Sequence, residues 1–293
     1  YENAYDGIKL RGSCHNRVDG ALCENNGRSG IQISRGYLDT ITIPSEYNVV
    51  TNLIVKHSDG VPSDASPTTS GVYIHKGSHN TVSNINVYGT RQGIGLCQDS
   101  NNNTFIGGVL RTRYESPKAV IDIEDVGTEE CRRNIFSDFF IRPLSGDAGK
   151  FINILRGSYN KIHGCYFNVG DGTGNWTIYI SNSNFNNISN CYFSSGTGAT
   201  DYGTDNVYRH LQGLKSENAG VITIAAGNTV SAFVHGLFKT PSINNVKVTP
   251  TNNLGSATKF WISSVDATYV YVTVDQAPGE PTATFVCEAR LSS

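Results

Sequence analysis

The chain has 293 residues, a formal net charge of -2, and only 16 % charged residues, with 31 glycines and abundant asparagine. That balance, with no basic run, excludes a nucleic-acid binder, and no apolar stretch of about 18 residues exists to span a membrane. Seven cysteines without CxxC spacing point to neither a disulfide framework nor a zinc site.

From the first residues to about residue 216 one pattern recurs: a strand-like stretch, a short turn, an asparagine, then apolar residues two, five and seven positions later. The frame fits Asn16, Asn48, Asn80, Asn103, Asn134, Asn160 and Asn186, at intervals of 32, 32, 23, 31, 26 and 26 residues. The plainest copies are 71–87 (Asn80, then Val82, Ile85, Val87), 151–167 (Asn160, then Ile162, Cys165, Phe167) and 177–193 (Asn186, then Ile188, Cys191, Phe193). Repeats of this size are stacked units, none able to bury its own face. The apolar positions alternate as in short strands and show no helical period. Each unit is a rung of about 22 or more residues, so the repeat predicts a parallel β-helix. Asparagine tolerates left-handed backbone at tight turns, so the seven asparagines are expected to occupy it, with their amides bonded from rung to rung. Cys165 and Cys191 fall at one inward position and are expected as reduced, stacked core thiols.

On this repeat, over roughly residues 5–216, the chain resembles the right-handed parallel β-helix family of pectate lyases and phage tailspikes. The resemblance implies the fold; lyases, hydrolases, epimerases and pure binders share it. The chain opens at Tyr1 inside repeat-like sequence without a signal peptide, as expected of a fragment or mature chain lacking an N-terminal cap.

From Gly220 the texture changes to alternating strands broken by turns such as Asn252-Asn253 and Pro278-Gly279, which predicts a small antiparallel β-sandwich. The expected domains are 1–216 and 217–293. His235-Gly236-Leu237, Thr240-Pro241 and Val248-Thr249-Pro250 resemble the C-terminal β domains of phage and prophage tail proteins. Those domains help three chains associate, which implies a homotrimer. His235 itself reads as a turn or core residue.

Alternate residues of each rung's first strand point outward. One column reads Lys9, Gln32, Tyr73, Gly95, Asp122, Asn153, Tyr179; the next reads Arg11, Ser34, His75, Cys97, Glu124, Leu155, Ser181. Tyr73, His75, Asp122 and Glu124 thus form one patch, with Gly95 expected to leave a notch. Asp122 and Glu124, two apart on one strand, set their Cβ atoms about 6.5–7 Å apart, within the range of inverting glycosidases. Asp99 or Asp125 is placed to supply a second acid from the turn. The same acids read alternatively as a solvated face or as a calcium-ordered turn. Arg111, Arg113, His75 and Lys76 are the cations a lyase would need, and Tyr179 is a further binding residue. No residue-by-residue lyase or polygalacturonase motif is present.

Six positions after each asparagine lies a third column: Leu22, Ile54, Asn86, Val109, Phe140, Tyr166, Tyr192. It is too apolar for a solvated face and fits a partner surface or a sugar-stacking platform. Long turns at 57–70, 142–149, 168–175 and 194–206 are expected to form a rim at one corner. Three functions fit: a trimeric tailspike-like depolymerase of a bacterial surface polysaccharide, in a virion tail or outside cells; a non-catalytic glycan-binding adhesin; and a secreted polysaccharide lyase.

Overall fold

The computed structural model describes residues 5–38, 41–57, 69–113, 119–124, 129–142, 144, 149–168, 176–194, 197–214, 217–279 and 282–291. Asp125 and most of the long turns at 57–70, 142–149 and 168–175 lie outside these residues; the turn expected at 194–206 is corrected, because Thr197–Asp201 forms a further parallel strand on Trp176–Ser181. The chain divides into compact units at Tyr1–Asn206 and Val207–Ser293, a boundary ahead of the 216/217 division expected from composition.

The larger unit is a parallel β-helix. Strands such as Ser29–Ser34, Ser70–His75, Gln92–Cys97, Ala119–Glu124, Gly149–Leu155 and Trp176–Ser181 stack in chain order into one parallel sheet. The strands that follow each asparagine, among them Val49–Lys56, Thr81–Tyr88, Thr104–Arg111 and Ile135–Ile141, stack into another. Inward side chains fill the space between: Val50, Val82, Phe105, Phe136 and Ile162 at one level, Val55, Val87, Leu110, Ile141 and Phe167 at another, all buried. Phe105 stacks on Phe136 and Phe167 on Phe193, each pair nearly parallel. Cys165 and Cys191 are free, buried and adjacent. No described helix is long and apolar enough to cross a membrane.

The asparagines form a continuous ladder. From Asn16 through Asn48, Asn80, Asn103, Asn134, Asn160 and Asn186, each backbone N–H and each Nδ2 donates to Oδ1 of the next, at 2.9–3.2 Å. An eighth member, Asn206, accepts the last pair. Nδ2 also donates to a carbonyl of the preceding rung, as from Asn134 to Ser100 at 2.9 Å. The expected left-handed backbone at these asparagines is corrected: the positive φ belongs to the residue before each one, His15, Tyr47, His79, Asn102, Arg133, Tyr159 and Phe185. That residue absorbs the turn, so the asparagine itself can aim its amide along the axis. A second left-handed position recurs four residues after each asparagine, at Gly20, Asn52, Asn84, Gly107, Asp138, Gly164 and Asn190, where the chain bends between its second and third strands. Beyond the sequence pattern, Gly36–Leu38 and Ile41–Ile43 form a small antiparallel hairpin with Tyr37, Leu38 and Ile41 exposed.

The smaller unit is an antiparallel sandwich. Glu217–Ile224, Ala283–Arg290 and Val246–Pro250 make one sheet; Val230–Val234, Tyr269–Val274 and Phe260–Val265 make the other. Its core holds Ile222, Ile224, Val270, Val272, Phe285 and Cys287. His235 is fully buried, with Nδ1 accepting from the Leu237 N–H at 3.0 Å and Nε2 3.0 Å from the Asp266 carbonyl. Both ring nitrogens therefore serve the turn.

Candidate functional site

The first-strand register brings the expected columns together. Tyr73 pairs with Gly95, Gly95 with Asp122, Asp122 with Asn153 and Asn153 with Tyr179. His75 pairs with Cys97, Cys97 with Glu124 and Glu124 with Leu155. Neighbouring strands in such a sheet lie about 4.8 Å apart.

The middle of this outward face is nonetheless buried. Asp122 is 1 % exposed, Asn153 1 % and Gln92 3 %. Gly95 leaves no open notch: a Cβ there would stand 2.9 Å from Gln92 Oε1 and 2.9 Å from Tyr73 Cδ2. Gln92, at the start of its strand, reaches across that position. Its Nε2 donates to Asp122 Oδ2 at 2.6 Å, and Ser70 Oγ donates to its Oε1 at 2.6 Å. On the other side Asn153 Nδ2 donates to Asp122 Oδ1 at 2.7 Å. Lys150 Nζ donates to Asn153 Oδ1 at 3.3 Å and lies 4.4 Å from the centroid of the Tyr179 ring. One polar chain thus crosses the sheet from Ser70 to Tyr179, and both Asp122 oxygens accept from side-chain amides. Asn153 is visible in the outward column; Gln92 and Lys150 are not, because each lies three residues before its column position and arrives by side-chain length.

The neighbouring row is more open. Glu124 and His75 are half-buried. His75 Nε2 lies 2.7 Å from Gln98 Oε1, and its ring lies parallel to Tyr73 with centroids 6.4 Å apart. Burial, then the adjoining Cys97 thiol and the Glu124 carboxylate, push the Tyr73 phenol far up. Lys76 pairs with Glu129 at 3.2 Å.

The remaining candidates are dispersed. Asp99 sits in the turn after Gln92–Cys97, with positive φ, accepting from Asn101 Nδ2 at 3.3 Å. Arg111 lies over the Tyr88 ring at 5.5 Å. Arg113 stands near His57, whose ring burial, and then Arg113, hold below its ordinary pKa. Arg111 ends the strand Thr104–Arg111 of the second sheet, and Arg113 stands just beyond it; Glu124 ends a strand of the first sheet. Among the described residues no group of three or more His, Cys, Asp or Glu could hold a metal ion.

The third column is exposed as expected at Leu22, Ile54, Phe140, Tyr166 and Tyr192. Phe140 stacks on Tyr166 at 5.2 Å and 10°, and Tyr166 on Tyr192 at 4.4 Å and 6°. The rings lie like coins along the axis, so their faces cover one another and their edges face outward.

No family model and no curated protein matches the sequence. Among solved structures the chain is similar to the tailspike of Pseudomonas phage phi297, with 13 % identity and a TM-score of 0.44, over 99 % of this chain and 61 % of that one. It is similar also to the tailspike of Acinetobacter baumannii phage AP22, solved in complex with a capsular saccharide, with 12 % identity and a TM-score of 0.41, over 97 % of this chain and 57 % of that one. A tailspike mutant of Escherichia coli phage HK620, in complex with a hexasaccharide, gives 11 % and 0.40, over 98 % and 69 %. The chain therefore spans about three fifths of the first two.

Proposed function

We propose that this chain binds a bacterial surface polysaccharide on the outer face of its first-strand sheet and hydrolyses glycosidic bonds there, as a tailspike-type protein of a virion tail. The observation that carries the reading is the pairing of two unlike carboxylates on one strand. Asp122 is buried with both oxygens occupied by amides, whereas Glu124 is half-exposed, two strands from His75 and Tyr73. Glu124 is then the proton donor or base that a sugar chain reaches. Asp122 is the fixed partner, or, with Asp99 at the turn, the second carboxyl. The two-residue strand spacing, about 6.5–7 Å, suits inversion. Of the cations a lyase would need, Arg111 and Arg113 leave the other sheet, while Lys76 is paired with Glu129 at 3.2 Å and His75 with Gln98 at 2.7 Å, so hydrolysis is favoured over elimination.

The burial of Asp122 favours one other reading, a glycan-binding adhesin on the same scaffold. Incubation with purified capsular and O-antigen polysaccharides separates the two. Reducing-end release supports hydrolysis, a new ultraviolet absorbance from an unsaturated sugar marks a lyase, and binding without fragments leaves the adhesin.

The exposed ring column belongs, in this reading, to a homotrimer. A sugar stacks on a ring face, and the faces at Tyr166 are covered on both sides. Edges of an apolar column suit burial against another copy of the chain.

A further inference from the structure

We propose that Cys97 is a nucleophile toward acyl esters carried by the bound glycan, so that the face which holds the polysaccharide also removes acyl substituents from it. This rests on the glycan reading above. Three successive strands set an imidazole, a thiol and a carboxylate in one outward row: His75, Cys97 and Glu124 are register partners, on strands about 4.8 Å apart. The Tyr73 phenol lies in the adjoining column, where its register partner is Gly95, two residues before Cys97. The His75 ring is held by Gln98, whose side-chain amide oxygen Oε1, 2.7 Å from Nε2, takes that nitrogen as its donor. In the neutral ring Nδ1 then carries the lone pair. Nucleophile, base and a group orienting the base are the parts that acyl transfer requires.

The other cysteines have no such setting. Cys14 is exposed, outside the strands, with its Sγ 3.5 Å from the Pro44 carbonyl; Cys23, Cys131, Cys165, Cys191 and Cys287 are core residues at 5 % exposure or less, while Cys97, at 9 %, is the most open of the buried thiols.

The chemistry balances without an oxidant or reductant. His75 takes the thiol proton, and the sulfur adds to the ester carbonyl. The bond from that carbonyl to the sugar oxygen breaks, and the sugar hydroxyl leaves with the proton from His75. Water then adds to the thioester, again giving a proton to His75, and the carboxylic acid departs as the thiol is restored.

The test uses the full chain with p-nitrophenyl acetate and with an O-acetylated capsular polysaccharide. Wild-type protein should release acetate from both, and acid-quenched samples should carry one acetyl group on the Cys97 peptide. Cys97→Ala and His75→Gln should each lose about 10²-fold or more of the rate, with Cys97→Ser as the shape-preserving control for folding. Acetate release by Cys97→Ala at the wild-type rate overturns the proposal. So does cleavage of the glycan chain by wild-type protein without any acetate. If wild-type protein neither binds nor cleaves any polysaccharide, the glycan reading fails as well.

Discussion

Replacing Asn134 with alanine tests the ladder where it is most enclosed. Asn134 is fully buried. Its Oδ1 accepts from the Asn103 N–H at 3.0 Å and from Asn103 Nδ2 at 3.1 Å; its Nδ2 donates to Asn160 Oδ1 at 3.0 Å and to the Ser100 carbonyl at 2.9 Å. Alanine removes all four. Asn103 Nδ2 keeps its bond to the Gly77 carbonyl, and Asn160 Oδ1 keeps the Asn134 N–H. The Asn103 N–H and the Ser100 carbonyl lose these bonds inside the protein. A buried group left unsatisfied costs about 1–3 kcal/mol, so Asn134→Ala should destabilise by about 3–5 kcal/mol. Asn16→Ala, at the half-exposed end of the same ladder, should cost no more than about 1 kcal/mol. Urea unfolding followed by far-ultraviolet circular dichroism measures both. Equal costs at the two positions would refute the ladder as a source of stability.

Phe167→Ala, which empties a site walled by Phe151 and Phe193, should cost about 3–5 kcal/mol by cavity formation, read in the same denaturation. Tyr166→Arg should split the assembly into monomers by light scattering if the ring column is an interface; a monomeric wild-type chain at micromolar concentration would contradict the trimer. His57, held below its ordinary value of 6.5 by burial and then by Arg113, binds its proton more readily unfolded than folded. Its contribution is therefore complete above about pH 6.5 and is lost as the pH falls from there toward the folded value. Thermal melts at about pH 7.5 and about pH 5.5 should differ less in His57→Gln than in wild type.

The fold was legible because asparagine, the apolar triplet behind it and period-two alternation all repeat. The register of Tyr73, Gly95 and Asp122 followed from that alternation alone. Asn206 is less legible because the triplet behind it, Tyr208, Leu211 and Gly213, ends on a glycine in place of an apolar side chain. The left-handed residue was misplaced by one because asparagine is both a common turn residue and a good amide ladder, and here only the second property is used. Burial of Asp122 was not legible. A period of two says which side of a sheet a residue occupies and nothing of what lies over that side. Gln92 and Lys150 reach their partners by side-chain length, which no spacing rule records.

The direct test of the glycan-hydrolase account is reducing-end release from a bound bacterial polysaccharide by wild type, Glu124→Gln and Arg111→Gln, with binding measured in parallel. The account predicts turnover lowered by about 10²-fold or more in Glu124→Gln with binding retained, and near-wild-type turnover in Arg111→Gln. Cleavage by Glu124→Gln at the wild-type rate would contradict it.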